Sequence, residues 1–176
     1  MNSGGETADK YLSLDDQALV GQCSVDHYRS SGPGGQKRNK TSSAVRLRHH
    51  STGLSVTAAD DRSQRVNMVR AIRRLREAIA LNVRAKLALD FYQPSELLLT
   101  CVTPDGRLAV GQRQRHYYSA VREVLDVLAA CGMRVSEAAD EIGVSTAHLV
   151  KFIQTDPKLW ERVNQMRAEA GVKPLR

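Results

Sequence analysis

Between Val66 and Leu89 apolar residues return every third or fourth position: Val66, Val69, Ile72, Leu75, Ile79 and Val83, with Leu87 and Leu89 continuing the run. Arg62, Arg65, Arg70, Arg73, Arg74 and Arg76 occupy other positions. This is the spacing of a long amphipathic helix with a basic face. Asp60 or Asp61 is placed to cap its start, and Pro94 to close it. Such a helix needs a surface on which to bury its apolar side, and the residues before it supply one. Ala44–Leu47 and Leu54–Ala58 are alternating apolar runs separated by His49-His50-Ser51-Thr52-Gly53, a loop with a glycine for positive φ, which reads as a β-hairpin. Cys23–Tyr28 alternates in the same way and reads as a further strand. The expected fold class is therefore α+β: a small β-sheet with a long packed helix, followed by a mainly helical C-terminal subdomain.

The flanks are read more coarsely. Residues 1–11 look like a disordered lead, and Ser13 is placed to cap a short helix that ends near Gly21. Residues 12–90 make the first domain and residues 91–176 the helical region. In that region Glu96–Val102 and Leu108–Val110 flank Thr103-Pro104-Asp105-Gly106, a hairpin signal. A helix follows from Tyr117 and ends at Gly132. Residues 135–153 have the pattern of a helix-turn-helix: apolar Ala138, Ile142, Val144, Leu149 and Phe152, Gly143 at the bend, and Ser145 as cap. A last helix opens at Thr155 or Asp156 with Pro157 in its first turn.

Charge is segregated along the chain. Residues 29–86 hold 14 Lys or Arg against Asp60, Asp61 and Glu77, a net +11, whereas the remainder is −4. One part of the protein is built to meet a polyanion. No apolar run is long enough to span a membrane, and the polar start is no secretory signal, so the chain reads as cytoplasmic. Cys23, Cys101 and Cys131 are too few and too scattered for a disulfide framework or a zinc site, and read as buried free thiols. His49 and His50 are adjacent and would point to opposite faces of a strand. No metal and no cofactor are expected.

The chemistry is expected in Ser30–Lys40, a stretch without apolar periodicity that must be an exposed loop. Gly34 and Gly35 permit backbone conformations closed to other residues and let the backbone approach a ligand closely. A backbone N–H there can serve as an oxyanion donor, a contribution of about 3–4 kcal/mol to a transition state when well placed. The Gln36 amide can donate, accept and orient a water, but it cannot act as a base. Such a loop positions and stabilises; it does not deprotonate.

Ser31 to Gln36, Asn39-Lys40-Thr41, Ala44-Val45-Arg46-Leu47, Thr52-Gly53 and Arg62-Ser63-Gln64 with Asn67 stand in the order and spacing of a known family. Residues 12–85 resemble the catalytic domain of class I peptide chain release factors. The resemblance implies ribosome-dependent hydrolysis of the peptidyl-tRNA ester, with Gly34, Gly35 and Gln36 entering the peptidyl-transferase centre of the large subunit. It implies that the Gln36 N–H stabilises charge at the ester, that its side chain admits water, that RNA supplies the base chemistry, and that Gln36 is N-methylated. Arg29, Lys37, Arg38, Asn39, Lys40, Arg46 and Arg48 around the loop, and Arg62, Arg65, Arg70 and Arg73 along the helix, would then meet rRNA or tRNA. Their binding should weaken steeply with salt.

The chain departs from the family after Gln36, where Lys37-Arg38-Asn39 stands in place of the His-Val-Asn of many members. Only 33 residues precede Gly34, too few for a codon-reading domain, so codon-independent rescue of stalled ribosomes is expected. The usual basic tail of rescue factors is not expected either: residues 95–176 are patterned and balanced in charge. The second helix of the 135–153 unit offers Thr146, Ala147, His148 and Lys151, a poor set for reading bases, and the C-terminal helices read instead as packing or as a contact for a protein partner. The alternative is a non-catalytic ribosome- or nucleic-acid-binding module with a helix-turn-helix.

Overall fold

The computed structural model describes residues 4–28 and 43–176. Its contacts fall into two units, residues 10–82 and residues 83–176 with those up to Asp9. The first unit is built on a three-stranded antiparallel sheet in the order β1-β2-β3: Cys23–Tyr28, Ala44–His49 and Ser55–Ala58. The register pairs Tyr28 with Ala44 and Cys23 with His49, then Leu47 with Val56. Alternation sorts the side chains. Val45, Leu47 and Ala58 are fully buried, and α3 (Gln64–Asn82) packs on β2 and β3 through Ala71, Ile72, Leu75 and Ile79. The hairpin turn is as expected, with Gly53 at φ 70°. His49 is buried and His50 exposed, on the opposite sides that their adjacency dictates.

Several expectations change. Residues 1–11 were expected to be disordered, but Gly4–Ser13 form a helix, α1. Ala8, Tyr11 and Leu12 explain it: they recur at helical spacing and all three are buried. The short helix α2 (Asp16–Val20) is capped by Asp15, whose carboxylate accepts from Ala18 N at 2.7 Å, and not by Ser13. Neither Asp60 nor Asp61 caps α3. Ser63 precedes it and accepts from Val66 N at 3.4 Å, while Asp61 acts one step earlier by accepting from Ser63 N at 3.0 Å. Val66 and Val69, expected on the apolar side, are 37% and 59% exposed; the buried stripe runs through Asn67, Ala71, Ile72, Leu75 and Ile79 instead. The helix also stops at Asn82 and does not reach Pro94.

The reason for that stop lies in the second unit. Ala85 N donates to the Asp126 carboxylate at 3.1 Å, where a continuing helix would require it to bond to the carbonyl four residues back. Asp126 is fully buried. It also binds Arg84 at 2.9 Å and Arg122 at 2.7 Å, and Arg122 in turn reaches Asp9 at 2.7 Å. Burial pulls the Arg84 guanidinium down to about 10 and pushes the Asp126 carboxyl up, while the two arginines oppose that rise. Glu96–Thr100, expected as a strand, is a helix, α4. Ser95 caps it by accepting from Leu98 N at 3.1 Å, and the buried Glu123 holds Ser95 through N (2.8 Å) and Oγ (2.5 Å). The turn after it forms, with Gly106 N bonded to Thr103 O at 2.8 Å, but the hairpin shrinks to the single bridge Val102–Leu108.

From Tyr117 onward the reading holds. α5 (Tyr117–Ala130) is buried along most of its length. α6 (Val135–Ile142) ends on Gly143 at φ 81°, and α7 (Thr146–Gln154) starts on the Ser145 cap. α8 (Pro157–Glu169) is capped by Asp156, which accepts from Lys158 N and Leu159 N and also from the buried Tyr117 hydroxyl at 2.7 Å.

Candidate nucleic-acid interface

The open side of the sheet is the side that α3 does not cover. Its residues lie in rows across the three strands: Asp26, Arg46 and Thr57 in one, Ser24, Arg48 and Ser55 in the next. All are exposed or half-buried. The Arg46 guanidinium sits 5.1 Å from the centre of the Tyr28 ring, a cation–π arrangement that holds the charge over the ring. Ser24 Oγ and His50 Nε2 are 2.9 Å apart at the far end of the same side. A sheet face with arginines, an aromatic ring and hydroxyls is suited to a nucleic-acid backbone.

Tyr28 and Ala44 are paired at the other end, so the chain leaves β1 and re-enters β2 at neighbouring points. Residues 29–42 join them. Gly34, Gly35, Gln36, Arg29, Lys37, Arg38, Asn39 and Lys40 lie outside the described residues.

A residue not assigned a role from sequence organises this end. Asn67 is fully buried on the inner face of α3. Its Nδ2 donates to Ser43 O at 2.7 Å and to Asp61 O at 2.7 Å, and its Oδ1 accepts from Asp61 N at 3.0 Å. One amide thus fastens the residue just before β2 to the turn that starts α3. The apolar period placed Val66 and Val69 on the buried side and so passed over Asn67, which, once buried, must be fully hydrogen-bonded to be tolerated.

The helix arginines divide by what they touch. Arg74 is bound inside the unit, to Thr57 O at 2.5 Å and Asp60 at 2.7 Å. Arg76 likewise binds Leu12 O at 2.9 Å, Leu14 O at 2.7 Å and Asp16 at 2.9 Å. Of the expected RNA-binding residues, Arg48, Arg62, Arg65 and Arg73 are exposed, and Arg70 is half-buried 3.5 Å from Asp61. Arg62, Arg65, Arg70 and Arg73 share the outer side of the α3 region with Val66 and Val69. Arg46 and Arg48 lie on the sheet, so the described arginines form two groups.

Cys23, Cys101 and Cys131 are free and buried, and burial pushes each thiol up, away from thiolate. Among the described residues no three His, Cys, Asp or Glu side chains are placed to hold a metal ion. No helix among them is long and apolar enough to cross a membrane.

Residues 18–93 match the RF-1 domain family. Peptide chain release factor 2 of Mycobacterium sp. (strain JLS) is 43% identical over 93 residues, covering 53% of this chain and 23% of that protein. Peptide chain release factor 2 of Mycobacterium leprae (strain Br4923) is 52% identical over 71 residues, 38% of this chain and 19% of that one. Peptide chain release factor 1 of Limosilactobacillus reuteri is 47% identical over 72 residues, 41% of this chain and 18% of that one. The chain thus spans about a quarter or less of the length of these relatives. No solved structure matches it.

Proposed function

From residues 18–93 as an RF-1 domain of the class I release-factor family, we propose that this chain hydrolyses the peptidyl-tRNA ester on the ribosome and frees the nascent peptide. The observation that carries the reading is the family match itself, with Gly34-Gly35-Gln36 in the segment that joins β1 to β2. Gly34 and Gly35 let the backbone approach the ester, the Gln36 N–H donates to the oxyanion, and the Gln36 amide keeps the pocket to the size of a water. On this reading no base is required of the protein, because the loop positions and stabilises. Arg46, Arg48, Arg62, Arg65, Arg70 and Arg73, with Arg29, Lys37, Arg38, Asn39 and Lys40, neutralise rRNA or tRNA phosphates. The partners are the large ribosomal subunit and peptidyl-tRNA, and the place of action is the cytoplasm.

We further propose that this chain does not itself read a codon. Outside the RF-1 domain, the unit best suited to reading bases is α6–α7, and its second helix is poorly equipped. His148 Nδ1 lies 3.0 Å from Gly106 O, engaged within its own unit, which leaves Lys151 as the one cation of α7. The same observation weighs against the alternative, a helix-turn-helix regulator of DNA. Protein contact through the C-terminal helices fits this surface better.

The test separates turnover from binding. Gly35→Ala is expected to cut peptide release from ribosomes by about a hundredfold or more while large-subunit affinity stays within about twofold. Unchanged release in that variant contradicts the role assigned to the loop.

A further inference from the structure

We propose that the loop Gly111–His116 is a second RNA-backbone contact, carried by the C-terminal unit. The choice of RNA over other polyanions rests on the ribosomal reading above; the existence of the basic surface does not.

No acidic residue occurs between Asp105 and Glu123, a stretch that holds Arg107, Arg113, Arg115, His116 and Arg122. Two of these cations are already matched. Arg107 pairs with Asp105, and Arg122 is buried against Asp126 and Asp9. Arg113 and Arg115 are exposed and meet no carboxylate among the described residues. Two uncompensated guanidinium groups, one residue apart along the chain, in a unit of balanced charge need either solvent or an anion.

The loop is also held in shape. Gln114 N donates to Gly111 O at 2.9 Å, Gly111 N donates to Gln114 Oε1 at 2.6 Å, and Tyr117 N donates to Gln114 O at 3.2 Å. Tyr117 is in turn fixed by the buried bond to Asp156. Arg113 and Arg115 therefore project from a closed turn, so less ordering entropy is lost on binding than from a free tail. Exposed side chains of the loop are guanidinium, amide and imidazole, with no apolar group to enter a lipid surface. Arg and Gln are common donors to phosphate and sugar oxygens.

The test compares the full chain with Arg113→Gln/Arg115→Gln and Arg113→Lys/Arg115→Lys. Both substitutions are on the surface, and equal thermal midpoints confirm equal folding. The probes are purified large ribosomal subunits and a roughly 20-base-pair RNA duplex of arbitrary sequence, titrated from about 50 to about 200 mM salt. The Gln pair should bind about tenfold more weakly, with a log–log salt slope shallower by about two, and the Lys pair should bind within about twofold of the parent. Unchanged affinity and slope for the Gln pair overturn the inference; if the parent still binds large subunits, the ribosomal reading survives. Weakened duplex binding by the Gln pair from a parent that ignores large subunits supports the loop and overturns the ribosomal reading. Binding of the parent to neither probe overturns both.

Discussion

Asn67 spends one side-chain amide on three backbone partners, Ser43 O, Asp61 O and Asp61 N. Removing it leaves buried donors and acceptors unmatched, each costing about 1–3 kcal/mol. Asn67→Ala should lower unfolding free energy by about 2–4 kcal/mol in urea titration, and under the proposed function it should also lower the release rate. A variant as stable and as active as the parent contradicts the clasp. His49 is the other instructive residue. Its Nδ1 is 2.9 Å from Thr52 Oγ1, its Nε2 is buried without a partner, and the Tyr11 ring meets it edge-on at 4.4 Å. Burial, and then the charge of His50, hold its pKa below the ordinary value. The unfolded chain therefore binds a proton that the folded one resists. Stability should be full above about pH 6.5 and fall as pH drops below it. His49→Gln should flatten that slope in thermal melts between about pH 7 and pH 5.

Elements reveal where the chain's local pattern was enough and where it was not. The strands, α5, α6, α7 and α8 were legible because each carries its own period and its own stop or cap, as with Gly143 and Ser145. At φ 81° with open space around it, Gly143 is needed for backbone reasons alone. Gly143→Ala should cost about 1–2 kcal/mol by chemical denaturation without altering the fold. The end of α3 was not legible, since it depends on Asp126, which captures Arg84 and Ala85 from a distant helix. Asp126→Asn removes the buried carboxylate that Arg84 and Arg122 share and should destabilise by about 3–5 kcal/mol, measured by the shift of the urea midpoint at constant m. α4 was misread for a similar reason. Its apolar run fits a strand equally well, and the deciding contact is Glu123 bracing the Ser95 cap. In the candidate interface, the basic residues could be named from sequence, but which ones turn inward could not. Arg74 and Arg76 turn to Thr57, Asp60, Leu12 and Asp16, partners that only the tertiary structure supplies.

At the scale of the whole molecule, charge follows the division into units. Residues 10–82 hold 13 Lys or Arg against six Asp or Glu, whereas the rest of the chain is balanced at 13 against 13. The entire net charge of +7 therefore resides in the unit that carries Gly34-Gly35-Gln36. Binding to large subunits should accordingly be salt-dependent, with affinity falling by about 10³ between about 50 and 200 mM if six or more phosphates are met. A flat salt profile contradicts an electrostatic interface.

The activity proposed for this chain is ester hydrolysis. It is tested most directly by single-turnover release of a labelled peptide from peptidyl-tRNA on purified ribosomes, with the A site either empty or holding a stop codon. Release by this chain is expected from both complexes, at similar rates, with loss of release from both in Gln36→Ala. Release no faster than from ribosomes alone, by a folded chain that binds them, would contradict it.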